Sequence, residues 1–322
     1  MRFSVLIPVL LLLVSCAGNT TETFQRKSQS TIPIPVSIEL KSEISGKVLT
    51  YRLESPSGLD IDPQGSIYVT ETGHHRLIKF DRDGQAEREF GGYGAGISQF
   101  NNPRDITIDE RLSIYVLDAG NSRIMHLDMN LNFIEEILPA EAADEIITSL
   151  SNYSGLHLSN IGELTVSDYD NSRLIQMDNF FEFSRYVGDF SYGRGALLNP
   201  GSIASDGSGR MFVADEGNSR IAVFDEFGNF KKSIGADKLA QPVAISVADN
   251  GLIWTADKET DSLYVFDWSD NLLAVFGNPD NRDEDFSQIG AVLAARNNLL
   301  YITDTGNDRI LVYRVVYEQS EY

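Results

Sequence analysis

The 322-residue sequence contains a single cysteine, so no disulfide framework is available to it. Basic residues are also scarce: 26 lysines and arginines stand against 47 acidic residues, and the net charge is −21 at pH 7. A charge this negative disfavours nucleic acid and anionic lipid surfaces as partners. No hydrophobic run beyond the first residues is long enough to cross a membrane. These deficits exclude a disulfide scaffold and a helical membrane protein, and we expect no nucleic-acid partner.

The N-terminus has the features of an export signal. Arg2 supplies a positive charge, and the apolar run over residues 3–14 is too short to remain as a membrane span. The run ends in Leu13-Val14-Ser15-Cys16, which resembles the lipobox of bacterial lipoproteins. The resemblance implies that Cys16 becomes the acylated first residue, and Ala17 behind it favours the outer membrane. We therefore expect an outer-membrane lipoprotein of the bacterial cell envelope, periplasmic or surface-exposed, that contacts the membrane through its lipid anchor only.

The sequence divides into three segments of different composition. Residues 1–16 form the predicted lipoprotein signal peptide. Residues 17–33 are polar, rich in Thr and Ser, and typical of a flexible tether. Residues 34–322 are apolar enough to bury a large core, and the folded domain is predicted to lie there.

A short motif recurs along this domain. VADEGNSRIAVFD at residues 213–225 resembles VLDAGNSRIMHLD at 116–128 and ITDTGNDRILVY at 302–313. Aligning the position after the turn gives six units, spaced 43 to 50 residues apart, at Arg76, Arg123, Arg173, Arg220, Leu263 and Arg309. Self-similarity at this period indicates a repeat architecture.

Each unit contains four short strand patterns. The first usually follows a proline, the second ends in an acid, the third follows the turn, and the fourth usually ends in glycine. Apolar residues alternate, and turn residues stand at each break. Four strands in about 45 residues predict the antiparallel blade of a propeller. The predicted fold class is therefore an all-β, six-bladed β-propeller of four-stranded antiparallel blades, with one short helix at residues 139–150.

The sequence also predicts how the ring closes. The sixth unit has three strand patterns and lacks the fourth. KVLTYRLE at residues 47–54 precedes the first unit and has the form of a fourth strand. We predict that this N-terminal strand pairs with residues 309–316 and completes the last blade, so that no sheet edge is left free.

The D-x-G-N-S-R-I and N-P-x-G/D-I motifs, followed by F-G, resemble those of the NHL-repeat propeller family. The resemblance covers residues 47–316, and unit five is degenerate because Leu263 replaces the arginine. It implies the six-bladed fold. It does not define a function, because propellers of this kind include enzymes, protein-binding modules and RNA-binding modules.

The repeated acid and arginine are interpreted as structural. We expect Asp215, at the end of strand two, to accept hydrogen bonds from the amides of the turn and to pair with Arg220. Gly217 and Asn218 are expected to adopt the positive φ of a tight turn. A group needed by every unit serves folding, whereas an active site is needed once. The same role is assigned to Asp118, Arg123, Asp168, Arg173, Asp304 and Arg309.

Function is expected in residues that do not repeat. The loops before strand one and those between strands two and three gather around the mouth of the central channel, where ligands favour binding. The residues at the start of strand one are Ser57, Arg104, Ser154, Gly201, Val243 and Gly290. Only Arg104 is charged, and it could clamp a carboxylate or phosphate. An aromatic and carboxylate-rich rim suits a protein, peptide or glycan ligand. The candidate ligand-binding residues are Arg104, Asp105, His74, Tyr153, Tyr169, Asp170, Glu216 and Glu259, with His75, Tyr192 and Lys258 near the same rim.

The alternative is a metal-dependent lyase or hydrolase of the same fold, in which Arg104 orients an acidic substrate. Resemblance to amidating-lyase-like propellers would imply zinc held by three histidines, but those of this chain fall in different strand registers: His74, His75, His126 and His157. Resemblance to lactonase-like hydrolases would imply calcium held by Glu, Asn and Asp, and no such triad is found. The acidic run at residues 280–285 lacks the glycine and spacing of a calcium loop. We therefore predict a monomeric binding scaffold without cofactor or metal, and Ca²⁺ or Zn²⁺ belongs to the enzyme alternative.

Overall fold

The computed structural model describes residues 33–139, 152–188, 193–277 and 285–318. The signal peptide with Cys16, nearly all of the tether, the helix expected at 139–150, Tyr192 and most of the acidic run at 280–285 lie outside these ranges. The expectations for these segments remain predictions. No helix in the described ranges has the length and hydrophobicity that a membrane span requires.

The chain begins with three strands that precede the first repeat: β1 (Pro35–Ser45), β2 (Lys47–Val48) and β3 (Tyr51–Arg52). Blade one contains β4 (Pro56–Ile61), β5 (Ile67–Glu71), β6 (Arg76–Phe80) and β7 (Ala86–Gly91). Blade two contains β8 (Pro103–Ile108), β9 (Ile114–Asp118), β10 (Arg123–Leu127) and β11 (Phe133–Ile137). Blade three contains β12 (Tyr153–Leu158), β13 (Leu164–Asp168), β14 (Arg173–Met177) and β15 (Phe183–Val187).

Blade four contains β16 (Pro200–Ser205), β17 (Met211–Asp215), β18 (Arg220–Phe224) and β19 (Phe230–Ile234). Blade five contains β20 (Pro242–Val247), β21 (Ile253–Asp257), β22 (Ser262–Phe266) and β23 (Leu272–Phe276). Blade six contains β24 (Ile289–Ala295), β25 (Leu299–Asp304) and β26 (Arg309–Tyr317), completed by β1. Single 3₁₀ turns lie at Ala119–Asn121, Glu216–Asn218, Arg296–Asn298 and Thr305–Asn307.

The blades form a closed ring around a channel. The first strands β4, β8, β12, β16, β20 and β24 contact one another in succession, and β24 contacts β4. Side chains reinforce this last junction: the Thr303 hydroxyl donates to the Ser57 carbonyl at 2.6 Å, and the Ser55 amide donates to Asp308 Oδ1 at 2.8 Å. The protein is therefore a six-bladed β-propeller of four-stranded antiparallel sheets.

The core lies between blades rather than inside them. Every residue of the second strand Ile114–Asp118 is buried, and the same holds for the second strands of blades one, three, four and five. Leu117 and Ile124 of blade two pack in one cluster with Leu156 and Val166 of blade three. Since each sheet hides its faces against its neighbours, the apolar second strand folds only in the ring.

An N-terminal strand completes the sixth blade, as predicted, but the assignment of that strand to residues 47–54 is wrong. The closing strand is β1, which pairs with β26 from Pro35 opposite Tyr317 to Ser45 opposite Arg309. Residues 47–54 instead provide β2 and β3, which pair with each other. The reason is Gly46, whose φ of 74° ends β1 and whose carbonyl accepts the Leu53 amide at 2.7 Å, folding the next residues into a hairpin.

Candidate functional site

The repeated acid and arginine form an ion pair across the hairpin between strands two and three. Asp215 is the register partner of Arg220, and its Oδ2 lies 2.7 Å from the arginine Nε. The matching distances are 2.7 Å in blades two and six and 3.0 Å in blade three. The side chains of these acids are fully buried. The pair is thus a tie between two strands of one blade, placed where the hairpin begins.

In blades two and four the other carboxylate oxygen does not accept the backbone amides of the turn, which corrects the expectation from the sequence; the turn reaches Asp215 through the Asn218 side-chain amide, which donates to Oδ2 at 2.9 Å. Oδ1 of Asp215 accepts the backbone N–H of Leu198 at 2.8 Å, and Oδ1 of Asp118 accepts that of Asn101 at 2.7 Å. Leu198 and Asn101 lie in the loops that precede strand one. The acid therefore anchors the 4–1 loop, the loop between the fourth strand of one blade and the first strand of the next.

The Gly-Asn turn also departs from expectation. Gly217 and Asn218 lie in a 3₁₀ turn, and the positive φ, 54°, falls on Ser219 after them. A left-handed residue occupies this position in every blade: His75, Ser122, Ser172, Ser219, Asp261 and Asp308. Glycine is needed at 217 for close approach, because a Cβ there would lie 2.5 Å from the Leu198 side chain and 2.9 Å from its carbonyl oxygen.

Blade five lacks the arginine and holds its acid in another way. The residue opposite its acid is Ser262 and not Leu263, which corrects the alignment by one position. Oδ2 of Asp257 accepts the amides of Ala240 and Gln241 in the 4–1 loop, at 2.7 and 2.8 Å. Its Oδ1 accepts the amides of Glu259 and Thr260, at 3.1 and 3.3 Å. The amides of the turn donate the hydrogen bonds that a guanidinium donates in the other blades, so both carboxylate oxygens of Asp257 are hydrogen-bonded.

A cavity of about 600 Å³ opens at the mouth of the channel. This volume is within the roughly 300–1,000 Å³ common for small-ligand pockets. One part of its lining is the residues that begin strand one: Ser57, Arg104, Ser154, Gly201, Val243 and Gly290. Another part is the residue directly after the repeated acid in five blades: Thr72, Tyr169, Glu216, Lys258 and Thr305. The two kinds of loop therefore meet at one rim.

Four of the predicted ligand-binding residues line this cavity: Arg104, Asp105, Tyr169 and Glu216. The other four lie elsewhere. His74 stacks on Tyr51 with ring centroids 4.5 Å apart, and its nitrogens face Glu54 and Glu71. Tyr153 is buried in the core between blades two and three and adds no aromatic surface to the rim. The exposed side chains outside the lining are those of Asp170 and Glu259.

Sequence comparison missed part of the lining. Lys258, expected near the rim but not among the ligand contacts, lines the cavity, whereas the expected contact Glu259 beside it does not. Amide side chains that directly precede strand one, at Asn102 and Gln288, were not considered. The useful signal was available in the sequence: in five of the six units the residue directly after the repeated acid lines the mouth, and the second residue after it does not.

Arg104 projects from an immobilised backbone. Its carbonyl oxygen accepts the Ser57 hydroxyl at 2.8 Å, and its Nη1 lies 3.3 Å from Asn152 Oδ1. Oδ2 of the adjacent Asp105 accepts the backbone N–H of Leu156 in blade three at 2.8 Å. Burial raises the pKa of Asp105 to about 6, while backbone amides and Arg104 lower it. Asp105 thus ties two blades together, and the Arg104 side chain lines the mouth cavity.

Tyr169 and Glu216 form an aromatic and acidic side of the rim. Burial raises the pKa of the Tyr169 hydroxyl, the Glu216 carboxylate raises it further, and Arg104 opposes this effect. The three side chains are therefore close enough to influence one another. Blades two, three and four contribute a cation, a phenol and a carboxylate to one half of the mouth.

The histidines are dispersed. His75 Nδ1 accepts the Asn102 amide at 2.9 Å, and His126 stacks on Tyr115 with centroids 4.5 Å apart. His157 lines a separate cavity of about 430 Å³ between blades three and four, where burial lowers its pKa to about 4. Within the described ranges, no group of three or more His, Cys, Asp or Glu side chains is placed to hold a metal ion.

Comparison with known proteins supports the fold. The family model DUF5128, described as a 6-bladed beta-propeller, matches residues 52–154. Catalytically inactive virginiamycin B lyase from Staphylococcus aureus with quinupristin has a TM-score of 0.62 at 15% identity, over 86% of this chain and 89% of that one. A protein of unknown function from Bacteroides thetaiotaomicron has a TM-score of 0.66 at 11% identity, over 87% and 76%.

A chain of a nidogen/laminin complex has a TM-score of 0.59 at 16% identity, over 71% of this chain and 81% of that one. No curated protein matches the sequence. Identities this low define the class of protein, a six-bladed β-propeller, and nothing finer.

Proposed function

We propose that the protein is a ligand-binding propeller of the bacterial cell envelope, held at the outer membrane by a lipid on Cys16. Its ligand, a protein, peptide or glycan, occupies the channel mouth. One observation carries the proposal: the mouth cavity is lined by side chains that differ from blade to blade, on a framework that repeats. The differing residues are Arg104, Tyr169, Glu216 and Lys258.

The contrast between repeated and unrepeated residues is the argument for binding. In five blades a buried acid pairs with the repeat arginine across the hairpin, and in blades two, four and six its other oxygen also holds the 4–1 loop. The residue beside each acid is thereby fixed in position but free in identity, which is what a binding rim requires. The likeness in fold to a chain from a nidogen/laminin complex fits a binding role.

The mouth is tested by filling it. Full-length protein in detergent is titrated with a panel of saccharides, peptides and small carboxylic acids by calorimetry. Ser202→Trp places an indole in the cavity lining, and Ser184→Trp, on the exposed outer strand β15, is the matched control. We expect the first variant to lose binding and the second to keep it. Equal binding by both, or no binder in the panel, would contradict the proposal.

The envelope location is tested separately through the anchor. Cys16→Ser removes the acylation site and leaves every described residue unchanged. We expect the wild type in the membrane fraction, labelled by a fatty-acid analogue, and the variant unlabelled. An unlabelled wild type would disprove the lipid anchor without affecting the binding proposal.

The second candidate is a metal-dependent lyase or hydrolase, favoured by the likeness in fold to virginiamycin B lyase. In that case Arg104 would orient an acidic substrate. Elemental analysis of the purified full chain distinguishes the two: stoichiometric Zn²⁺ or Ca²⁺, together with turnover that Arg104→Ala abolishes at unchanged melting temperature, favours the enzyme.

A further inference from the structure

Two cations face the mouth cavity from opposite sides of the ring. Arg104 belongs to blade two and Lys258 to blade five, which are three blades apart in a ring of six. Among the described residues neither cation forms an ion pair, and the side-chain hydrogen bond of Arg104 is to the Asn152 amide oxygen at 3.3 Å. The repeat arginines, by contrast, each meet a carboxylate, as Arg220 does at 2.7 Å.

Arg104 and Lys258 place positive charge at the mouth of a strongly acidic protein. The net charge of −21 repels anions at long range, and salt screens that repulsion beyond about 8–10 Å. Close to the two side chains the local attraction dominates, because a guanidinium bonded to a carboxylate at hydrogen-bond distance gains a charge-assisted contact. The mouth is therefore suited to a ligand that carries a carboxylate at short range.

The rest of the cavity suits sugar hydroxyl groups. Hydroxyl side chains of four blades line it, at Ser57, Thr72, Ser154, Ser202 and Thr305, together with the amides of Asn102, Asn152 and Gln288. Tyr169 offers a partly buried ring on one side, against which a sugar face can stack. Glu216 beside it accepts hydrogen bonds from further hydroxyl groups.

We propose that the ligand of the mouth is an acidic saccharide, with its carboxylate on Arg104 or Lys258, a ring on Tyr169 and its hydroxyl groups on the Ser, Thr and amide lining. The inference rests on the proposed function and deepens it by naming the ligand class. A sugar is favoured over an acidic peptide because the lining offers hydroxyl and amide groups on nearly every side and few apolar ones for peptide side chains.

The experiment uses a probe and its uncharged counterpart. Full-length protein in detergent is titrated with trigalacturonate and with its methyl ester, in which each carboxylate is neutralised by a methyl group. A panel of other acidic and neutral saccharides and of acidic peptides is run beside them. Variants Arg104→Ala and Lys258→Ala are compared with Arg111→Ala, which removes the same charge from an exposed turn at the other end of blade two.

We expect an acidic saccharide to bind, its neutral counterpart to bind about 10- to 100-fold more weakly, and both mouth variants to show the same loss. Arg111→Ala binds like the wild type, and affinity falls with added salt. Equal affinity for acid and ester, binding by peptides alone, or unchanged binding in both mouth variants overturns the inference. If a neutral sugar binds the wild type as well as an acidic one does, and Ser202→Trp abolishes that binding, the inference of an acidic ligand is wrong although the mouth is the binding site.

Discussion

Asp215 and Leu198 are joined by a hydrogen bond of 2.8 Å, from the Leu198 amide to Oδ1 of the acid. The same carboxylate binds Arg220 through its other oxygen. One buried side chain therefore fixes both the hairpin and the loop that leads into the channel. Glu216, the next residue in the chain, lines the mouth because its neighbour is held on both sides. The fold-stabilising repeat and the unrepeated rim are thus consecutive residues.

Removing a repeat arginine should destabilise the whole ring. Arg123 donates to Asp118 and Glu136 and to three backbone carbonyls of the loop at residues 95–99. Arg123→Ala leaves a buried carboxylate unpaired, and we expect a loss of about 3–5 kcal/mol in the free energy of unfolding by urea titration. Arg123→Lys should recover little of it, because one ammonium cannot replace a five-donor fork.

The control for that experiment is Arg111→Ala, at an exposed turn, which should change stability by less than about 0.5 kcal/mol. If Arg123→Ala were as mild as the control, the ion pair would carry little of the stability of the fold.

The turn glycine and the serine after it should respond in opposite ways. A Cβ on Gly120 would lie 2.6 Å from the Asn101 carbonyl oxygen, and backbone cannot easily yield there. Ser122 has a φ of 52°, where glycine is relaxed. We expect Gly120→Ala to lower the melting temperature by several degrees and Ser122→Gly to leave it unchanged or raise it. The reverse order would show that close approach to the Asn101 carbonyl oxygen does not require glycine at position 120.

The fold was predictable because its signal is repeated. Six copies of one motif give six chances to recognise the strands, and four strands in a period of about 45 residues indicate a propeller. The closing strand occurs once, and its position was predicted wrongly. Residues 47–54 have a strand pattern, but Gly46 turns them into a hairpin, and residues 35–45 supply the closing strand. Alternation does not reveal which of two neighbouring segments reaches the last blade.

The site was half predictable for a related reason. Positions such as Arg104 and Glu216 stand at a fixed offset from the motif, so alignment placed them at the mouth. Tyr153 stands at an equally regular position, but its ring turns into the core between blades, where apolar volume was needed. The direction of a side chain at such a position depends on the space that the side chains of the neighbouring blade leave. That space cannot be inferred from the sequence of one unit.

Deleting the closing strand should open the ring. Removal of residues 1–45 leaves the edge of β26 unpaired. It also removes the buried side chain of Ile38 and exposes the apolar residues of the last blade that this side chain covers. We expect a melting temperature lower by more than 10 °C and concentration-dependent self-association, measured by calorimetry and sedimentation. Arg52→Ser, on the exposed short hairpin, is the control and should act weakly. A truncated protein that melts like the intact one would show that β1 does not seal the ring.

The last prediction concerns a carboxyl group at the seam between blades one and two. Asp60 accepts the backbone N–H of Ile61 at 2.7 Å and that of Ile108 in blade two at 2.8 Å. Burial is the main cause that raises its pKa from 3.8 to about 7, and the charges of Asp105 and Asp62 add to the effect. The folded protein therefore keeps a proton that the unfolded chain releases near pH 4.

The sign of the pH dependence follows from that difference. The stability gained from the bound proton is complete below about pH 4 and is lost as the pH rises through about 7. Between pH 6 and 8 the wild type should lose on the order of 1 kcal/mol at this group. The Asp60→Asn variant has no titratable group at this position, so its free energy of unfolding should vary less with pH over this interval. The control variant Asp83→Asn, on an exposed turn, should show the pH dependence of the wild type. Urea titrations at pH 6, 7 and 8 measure the three slopes, and equal slopes for Asp60→Asn and the wild type would place the titrating group elsewhere.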